Sequence, residues 1–264
     1  MVKNLTEGKP LNLLFFFALP MVAGNLFQQL YNMVDTAVVG KFVGEDAVAA
    51  VGSSFPIVFL SVAVASGLSM GCNVVVSQLF GARRIHEMKT TISTAIISLG
   101  VLGLLIMGLG TLLAGPLLQL LDTPAEILEE AYSYIIVIDL GVIVMFLYNL
   151  CAGLLRAIGN SFMPLVFLLL SSGLNILLDL LFIAKMGMGV QGAAVATVIS
   201  QGVSVLLCIL YVFAKVKLLL PEKKHFKVGQ HLYWELFSQS ISMGLMSSIV
   251  SAGSVVLQYG IHGL

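Results

Sequence analysis

The feature that most constrains this chain is a series of apolar segments, each long enough to cross a lipid bilayer. A spanning helix needs about 20 mostly apolar residues. Only 10% of the residues are charged, whereas a soluble domain has about a quarter, so the chain has too little charge to cover a water-facing surface. We therefore predict an all-α polytopic membrane protein. Its seven apolar segments are 13–39, 47–76, 91–113, 131–155, 162–184, 193–214 and one that begins near 232.

The basic residues predict the orientation of these segments and divide the chain. If the N-terminus is cytoplasmic, 11 of the 13 lysines and arginines lie on the cytoplasmic side, which leaves Lys41 and Lys185 outside. Such an excess is the usual signature of cytoplasmic loops. We expect a multi-pass protein of the plasma (inner) membrane with a six-helix bundle over 1–214, a basic cytoplasmic linker over 215–231 and a seventh helix over 232–264 that begins a second bundle.

Several classes of function are excluded by composition and motifs. The formal net charge is zero, which argues against a nucleic-acid partner. The three cysteines lie in apolar segments without metal-ligand spacing. The chain has no HExxH motif, no Walker A loop and no Gly-rich turn between a strand and a helix. We therefore expect no enzyme activity and no cofactor, and any transport would have to be driven by an ion gradient.

One polar stripe interrupts the first apolar segment. Asn25, Gln28, Asn32 and Asp35 follow one another by three, four and three residues, so they share one face of a helix. A charged side chain inside a membrane costs about 2.5–3.5 kcal/mol or more, and it usually faces a cavity or a partner on a transport path. The stripe therefore predicts a functional surface that ends in a carboxylate.

Two further segments bring polar groups to the depth of Asp35, in the outer half of the membrane. Asn175 and Asp179 lie one turn apart on the fifth segment, and Thr197 lies about one turn into the sixth. Two carboxylates with amide and hydroxyl oxygens are hard ligands that suit a small cation or a proton. The alternative is that each group makes a separate interhelical hydrogen bond. A further carboxylate, Asp139, either joins this cluster or lies near the head groups.

The motifs of the chain resemble those of the multidrug and toxic compound extrusion family. The resemblance is carried in chain order by 32–36 (NMVDT), 47–52 (AVAAVG), 78–84 (QLFGARR), 154–161 (LLRAIGNS), 174–179 (LNILLD) and 192–197 (GAAVAT). It implies that the first six helices form an N-lobe whose coupling site is Asp35, Asn175, Asp179 and Thr197. It also implies a supporting network of Gln28, Tyr134 and Asn149, to which the polar stripe adds Asn32.

The resemblance implies export of amphipathic, often cationic compounds against an inward flow of Na⁺ or H⁺, by alternating access between two lobes. A Na⁺ ion would bind at the same carboxylate site, and we expect no other metal. Family members have twelve helices, so a C-lobe or a second chain is expected as a partner. One alternative is a lipid-linked oligosaccharide flippase of the same superfamily, which would need basic groups mid-membrane that this chain lacks. The other is a non-transporting truncated remnant.

Overall fold

The computed structural model describes residues 10–226 together with Trp234 and Ser238. The described residues are 91% helical and contain no strand. The predicted all-α class is confirmed. The predicted seventh segment lies outside the described residues, except for Trp234 and Ser238, which are helical. The six long helices are α1 (Pro10–Phe42), α2 (Glu45–Gly81), α3 (Ile85–Leu120), α4 (Ala125–Ala157), α5 (Phe162–Asp179) and α6 (Gly189–Lys215).

The helices are longer than the apolar segments that predicted them. The segment 91–113, for example, is the middle of α3, which has 36 residues and is therefore about 54 Å long. Five helices of the described part are long and apolar enough to cross a membrane: α1, α3, α4, α5 with its extension to Lys185, and α6. Helix α2, with 37 residues, is not among those five, although its length exceeds what a crossing requires.

Glycines allow the helices to approach α4, which packs against α2, α3 and α6. A methyl group at Gly141 of α4 would overlap Val198 of α6, and one at Gly153 of α4 would overlap Asn73 of α2. Small residues at such contacts are typical of helix packing in membranes, where close van der Waals contact replaces the hydrophobic effect. Helix α4 is therefore the axis of the bundle.

Two of the apolar clusters in the described part of the chain lie toward opposite ends of the bundle. We call the two ends of the bundle the α1–α2 end and the α2–α3 end, after the helix connections that lie there. The cluster at the α1–α2 end contains Ala50, Ile57, Ala114, Leu118, Ile127, Ala131 and Ile135. The cluster at the α2–α3 end is larger, and its biggest members include Met88, Ile92, Leu99, Phe146, Leu150, Leu155 and Ile158.

Helix α1 lies at the rim of the bundle and packs mainly against α5. Much of its length is exposed, including Leu14, Phe15 and Phe16. Beyond α6, the chain forms two short 3₁₀ turns, Lys217–Leu219 and Lys223–Phe226, that pack against α3. Helix α1 therefore presents one long face that no other described element covers, whereas the segment after α6 is held to the bundle.

Candidate coupling-ion site

Helix α1 brings Asp35 to the bundle near the end of the helix. Asp35 is seven residues from the end of α1 at Phe42, which corresponds to about 10 Å along the axis. Its side chain is half-buried, because α1 packs here against α5 and α6. The other members of the stripe, Asn25, Gln28 and Asn32, are exposed. Only the carboxylate end of the polar stripe therefore enters the bundle.

Asn175 links the two helices that face Asp35. Asn175 and Asp179 are both buried on one face of α5, and Thr197 is buried on α6. With its amide nitrogen toward Asp179, Asn175 donates to Asp179 Oδ2 at 3.1 Å and its oxygen accepts from the backbone N–H of Thr197 at 3.3 Å. This orientation follows from the hydrogen-bond network, since a carboxylate can only accept. The amide thereby fixes the position of the Asp179 carboxyl group relative to α6.

The carboxyl groups of Asp35 and Asp179 lie within hydrogen-bonding reach of one another. In each of them, Oδ1 is buried and has no hydrogen-bond partner among the described residues. Two adjacent negative charges repel each other strongly where the dielectric constant is low. The pair is therefore stable only with a proton shared between the two groups or with a cation beside them.

An apolar cluster borders this acidic pair. It contains Val39, Ala47, Ile183, Val190 and Ala193, and the partly buried Tyr134 of α4 packs against it. Directly after Asp179, the chain continues as a π-helical turn, Leu180–Lys185. Such turns are often found at functional sites, because they change the direction in which neighbouring side chains project. In this structure the turn carries Ile183 into the apolar cluster.

The predicted supporting network is only partly assembled around the acidic pair. Tyr134 is close enough to Asp35 and Asp179 to interact with both electrostatically. Asn149 lies 15 residues further along α4, about 22 Å from Tyr134 along the axis. Its side chain donates to the carbonyl of Met145 in its own helix, at 3.0 Å. Gln28 and Asn32 lie on the exposed face of α1. The structure therefore brings Tyr134 to the pair and keeps Asn149 at a different depth.

Tyr31 also belongs to this site, although the polar pattern of the sequence does not include it. The partly buried Tyr31 lies one turn before Asp35 on α1, and its hydroxyl is within hydrogen-bonding reach of the Thr197 side chain. The spacing of four residues from Asp35 places it on the same helix face. That spacing was the signal available in the sequence. Tyr31 joins α1 to α6 in the way that Asn175 joins α5 to α6.

In the described part of the chain, no group of three or more histidines, cysteines, aspartates or glutamates is arranged to hold a metal ion. A hard cation at the acidic pair would instead be bound by carboxylate oxygens with the hydroxyl oxygens of Thr197 and Tyr31 nearby. The three cysteines are free thiols, and none contributes to this group of residues. A bundle of long apolar helices with an acidic pair at the depth of the membrane is the arrangement expected of a multi-pass membrane transporter.

The chain belongs to the MatE family, whose family model matches residues 20–181. A curated relative is the probable multidrug resistance protein YpnP of Bacillus subtilis (strain 168), which is 31% identical over 268 residues, covering 98% of this chain and 59% of the relative. The chain spans about half the length of the curated relatives it matches. The resemblance drawn from the motifs is confirmed, and so is the expectation that the chain is not an enzyme, because the family consists of transporters.

Solved structures of the same family share the fold. A crystal structure of a MATE mutant gives a TM-score of 0.88 at 27% identity and covers 95% of this chain and 56% of that one. A structure described as the outward-facing conformation of a multidrug resistance MATE family transporter gives a TM-score of 0.83 at 29% identity. The match covers 91% of this chain and 54% of that one. The corresponding inward-facing structure gives a TM-score of 0.76 at 28% identity, and the match covers 83% of this chain and 50% of that one.

Proposed function

We propose that this chain forms the N-lobe of an antiporter that exports amphipathic or cationic compounds in exchange for Na⁺ or H⁺. The observation that carries the proposal is the acidic pair, Asp35 and Asp179, with a buried and unpartnered oxygen on each carboxyl group. The family membership and the multidrug resistance names of the relatives support drug export as the activity.

The four proposed coupling residues have distinct tasks. Asp35 and Asp179 bind the coupling ion or proton, because they supply the negative charge. Asn175 holds the Asp179 carboxyl group through its amide, and Thr197 supplies a hydroxyl oxygen within reach of Tyr31. A bound proton or Na⁺ removes the repulsion between the two carboxylates and lets α1 and α5 pack closely. Release of the ion restores that repulsion and favours separation of the two helices.

A second lobe is needed for this mechanism. The long uncovered face of α1, including Gln28 and Asn32, is the surface that we expect to line a substrate cavity between two lobes. Relatives described as outward-facing and inward-facing support alternating access. The excess of lysine and arginine at the α2–α3 end and beyond α6 supports a cytoplasmic N-terminus.

Transport by proteoliposomes tests this proposal. We would reconstitute this chain alone and this chain extended by a second lobe, and measure drug export driven by a Na⁺ gradient or by a pH gradient. The extended protein should export drug with one of the two gradients, and Asp35→Asn should abolish that export. Asp122→Asn is the matched control, because Asp122 is an exposed acid in the connection between α3 and α4.

Two results would contradict the proposal. One is an Asp35→Asn protein that still exports drug at the rate of the unmodified protein under the same gradient. The other is an extended protein that responds to neither gradient while Asp122→Asn and the unmodified protein bind drug equally well. Export by this chain alone would show that two copies supply the two lobes, and it would leave the roles of Asp35 and Asp179 to be tested in that dimer.

A further inference from the structure

Asp139 on α4 is a buried carboxyl group that the proposed transport mechanism does not use. It is fully inaccessible to solvent, and neither of its carboxyl oxygens has a hydrogen-bond partner among the described residues. It faces α3 at Gly110, where a methyl group would overlap its carboxyl group. The neighbouring hydroxyl of Thr111 is already bonded to the carbonyl of Met107 at 2.8 Å. Helix α3 therefore approaches Asp139 closely without offering it a polar partner.

The surroundings of Asp139 are apolar in both directions along α4. On the side of the α1–α2 end, Asp139 is next to the cluster that contains Ile135. On the side of the α2–α3 end, it is next to the cluster that contains Val142 and Phe146. The facing stretches 47–81, 90–120 and 189–214 contain no aspartate, glutamate, lysine, arginine or histidine. Their titratable groups, Cys72, Cys208 and Tyr211, all belong to or pack against the cluster at the α2–α3 end. These described stretches therefore offer no cation to neutralise Asp139.

Asp139 is separate from the acidic pair. It lies five residues after Tyr134, which corresponds to about 140° around the helix and about 8 Å along the axis. Tyr134 is close enough to Asp35 and Asp179 to interact with them electrostatically, whereas the carboxyl group of Asp139 lies against Gly110 of α3. The two sites therefore lie on different faces of α4, which favours the interpretation that Asp139 does not join the predicted cluster. The alternative in which it lies near the head groups does not fit its complete burial between helices.

These observations select the ligand of Asp139. An ionised carboxylate without a partner is very unfavourable in an apolar interior. A Na⁺ ion would need several oxygen ligands, whereas α3 brings only the hydroxyl oxygen of Thr111, next to Gly110, toward the Asp139 carboxyl group. A proton needs only the carboxyl group itself. We propose that Asp139 is a proton-binding site separate from the acidic pair, and that its proton allows α3 to pack against α4 at Gly110.

The inference does not depend on which ion drives transport, so it is tested in a background in which the acidic pair is neutral. We would prepare the full chain with Asp35→Asn and Asp179→Asn in lipid, with and without Asp139→Asn, and record infrared spectra at neutral pH. The carbonyl stretching band of a protonated carboxylic acid should be present in the double variant and absent in the triple variant. A band that is absent from both, or equally strong in both, would overturn the proposal. Helical circular dichroism of each variant provides the check on folding.

The contact between α3 and α4 gives a second and independent readout. A group that is protonated in the folded state and releases its proton on unfolding stabilises the fold less as the pH rises. The thermal midpoint of the double variant should therefore fall with increasing pH relative to that of the triple variant, since asparagine cannot lose a proton. If the two midpoints change in parallel across neutral and alkaline pH, Asp139 does not hold α3 against α4 through a proton.

Discussion

The lobe contains two acidic sites whose surroundings are opposite in character. Asp35 and Asp179 lie within reach of each other, and Asn175 and Tyr31 connect the helices around them. Asp139 is completely buried between apolar clusters and has no polar partner in the described part of the chain. The first site has enough oxygens to bind more than one kind of ion. The second is suited only to a proton.

This difference shows what makes a buried carboxylate useful for coupling. A site that exchanges its ion must be tolerable in both its charged and its neutral form, and neighbouring donors lower the cost of the charged form. The half-buried position of Asp35 at the rim also leaves a route for ions. Asp139 has neither donors nor a route, so its proton serves packing.

Asp179→Asn should cause the largest loss of affinity for the coupling ion. The substitution removes one of two charged ligands while it keeps the size of the side chain. A hydrogen bond or contact to a charged group contributes about 1.5–3 kcal/mol, so the affinity for the coupling ion should fall by about 10- to 100-fold. Binding of the coupling ion by the protein in detergent would measure this, with Asp122→Asn as the control. An unchanged affinity would show that Asp35 alone forms the site.

Gly110→Ala should destabilise the lobe through Asp139. The added methyl group overlaps the Asp139 carboxyl group, and forcing extra atoms into a packed interior costs about 1–3 kcal/mol. Gly108→Ala on the same helix is the matched control, because a methyl group there has no atom within 4 Å. Thermal unfolding in detergent measures both. The Gly110→Ala/Asp139→Ala double variant should recover part of the loss, since the two residues are in contact.

If Gly110→Ala and Gly108→Ala are equally stable, α3 does not approach Asp139 as closely as the structure indicates. Asp139 would then resemble the acidic pair, because water could reach it between the helices and solvate its charged form.

The helices and the meeting of four polar residues could be predicted from the sequence. Length and hydropathy identify helices without knowledge of their partners, and the alternation of helix direction sets which residues share a depth. Asp35, Asn175, Asp179 and Thr197 were grouped in this way, and the structure brings them together. Their role in coupling an ion to transport remains a prediction.

The direction in which a buried side chain faces could not be predicted in the same way. Depth alone left two alternatives for Asp139, because the rotation of α4 depends on which residues pack against α2, α3 and α6. The contact with Gly110 joins positions 29 residues apart, which no local pattern reports. Asn149 is a second example. The family resemblance implies that it belongs to the supporting network, whereas in the structure its amide donates a hydrogen bond within α4.

Thr197→Val should weaken the acidic site modestly. Valine keeps the shape of threonine but removes the hydroxyl group that lies within reach of Tyr31. A neutral hydrogen bond contributes about 0.5–1.5 kcal/mol, so the affinity for the coupling ion should fall about 2- to 10-fold. Thr111→Val is the control, because its hydroxyl bonds only to the backbone of α3. A loss as large as that of Asp179→Asn would make Thr197 a principal ligand.

The pH response of the membrane sites must be distinguished from that of a third titrating region, the segment after α6. The imidazole of His225 is buried against His86, with ring centroids 4.8 Å apart, and its Nδ1 accepts from the backbone N–H of Glu222 at 2.9 Å. Glu222 also pairs with Lys224 at 2.8 Å and with Lys89 of α3 at 3.6 Å. Neutral His225 fits this arrangement, because a protonated ring could not accept that hydrogen bond.

The pKa shifts of His225 and Glu222 give the direction in which pH changes the docking of the segment after α6 onto the bundle. Burial lowers the pKa of His225, and the positive charges of His86 and Lys224 lower it further. The hydrogen bond from Lys224 lowers the pKa of Glu222. In both cases the undocked segment binds protons more readily than the docked one, so docking weakens as the pH falls. For His225 the weakening begins near its unperturbed value of about 6.5.

Amide hydrogen exchange of residues 217–226, corrected for the intrinsic effect of pH, should therefore become faster between pH 7.5 and pH 5.5. His225→Gln should remove this dependence, because glutamine does not titrate and its carbonyl oxygen can still accept from Glu222. The effect should be small beside those at the two acidic sites, since the segment is short and half of its residues are exposed. Equal pH dependence in the unmodified and His225→Gln proteins would assign the acid response to the membrane carboxylates instead.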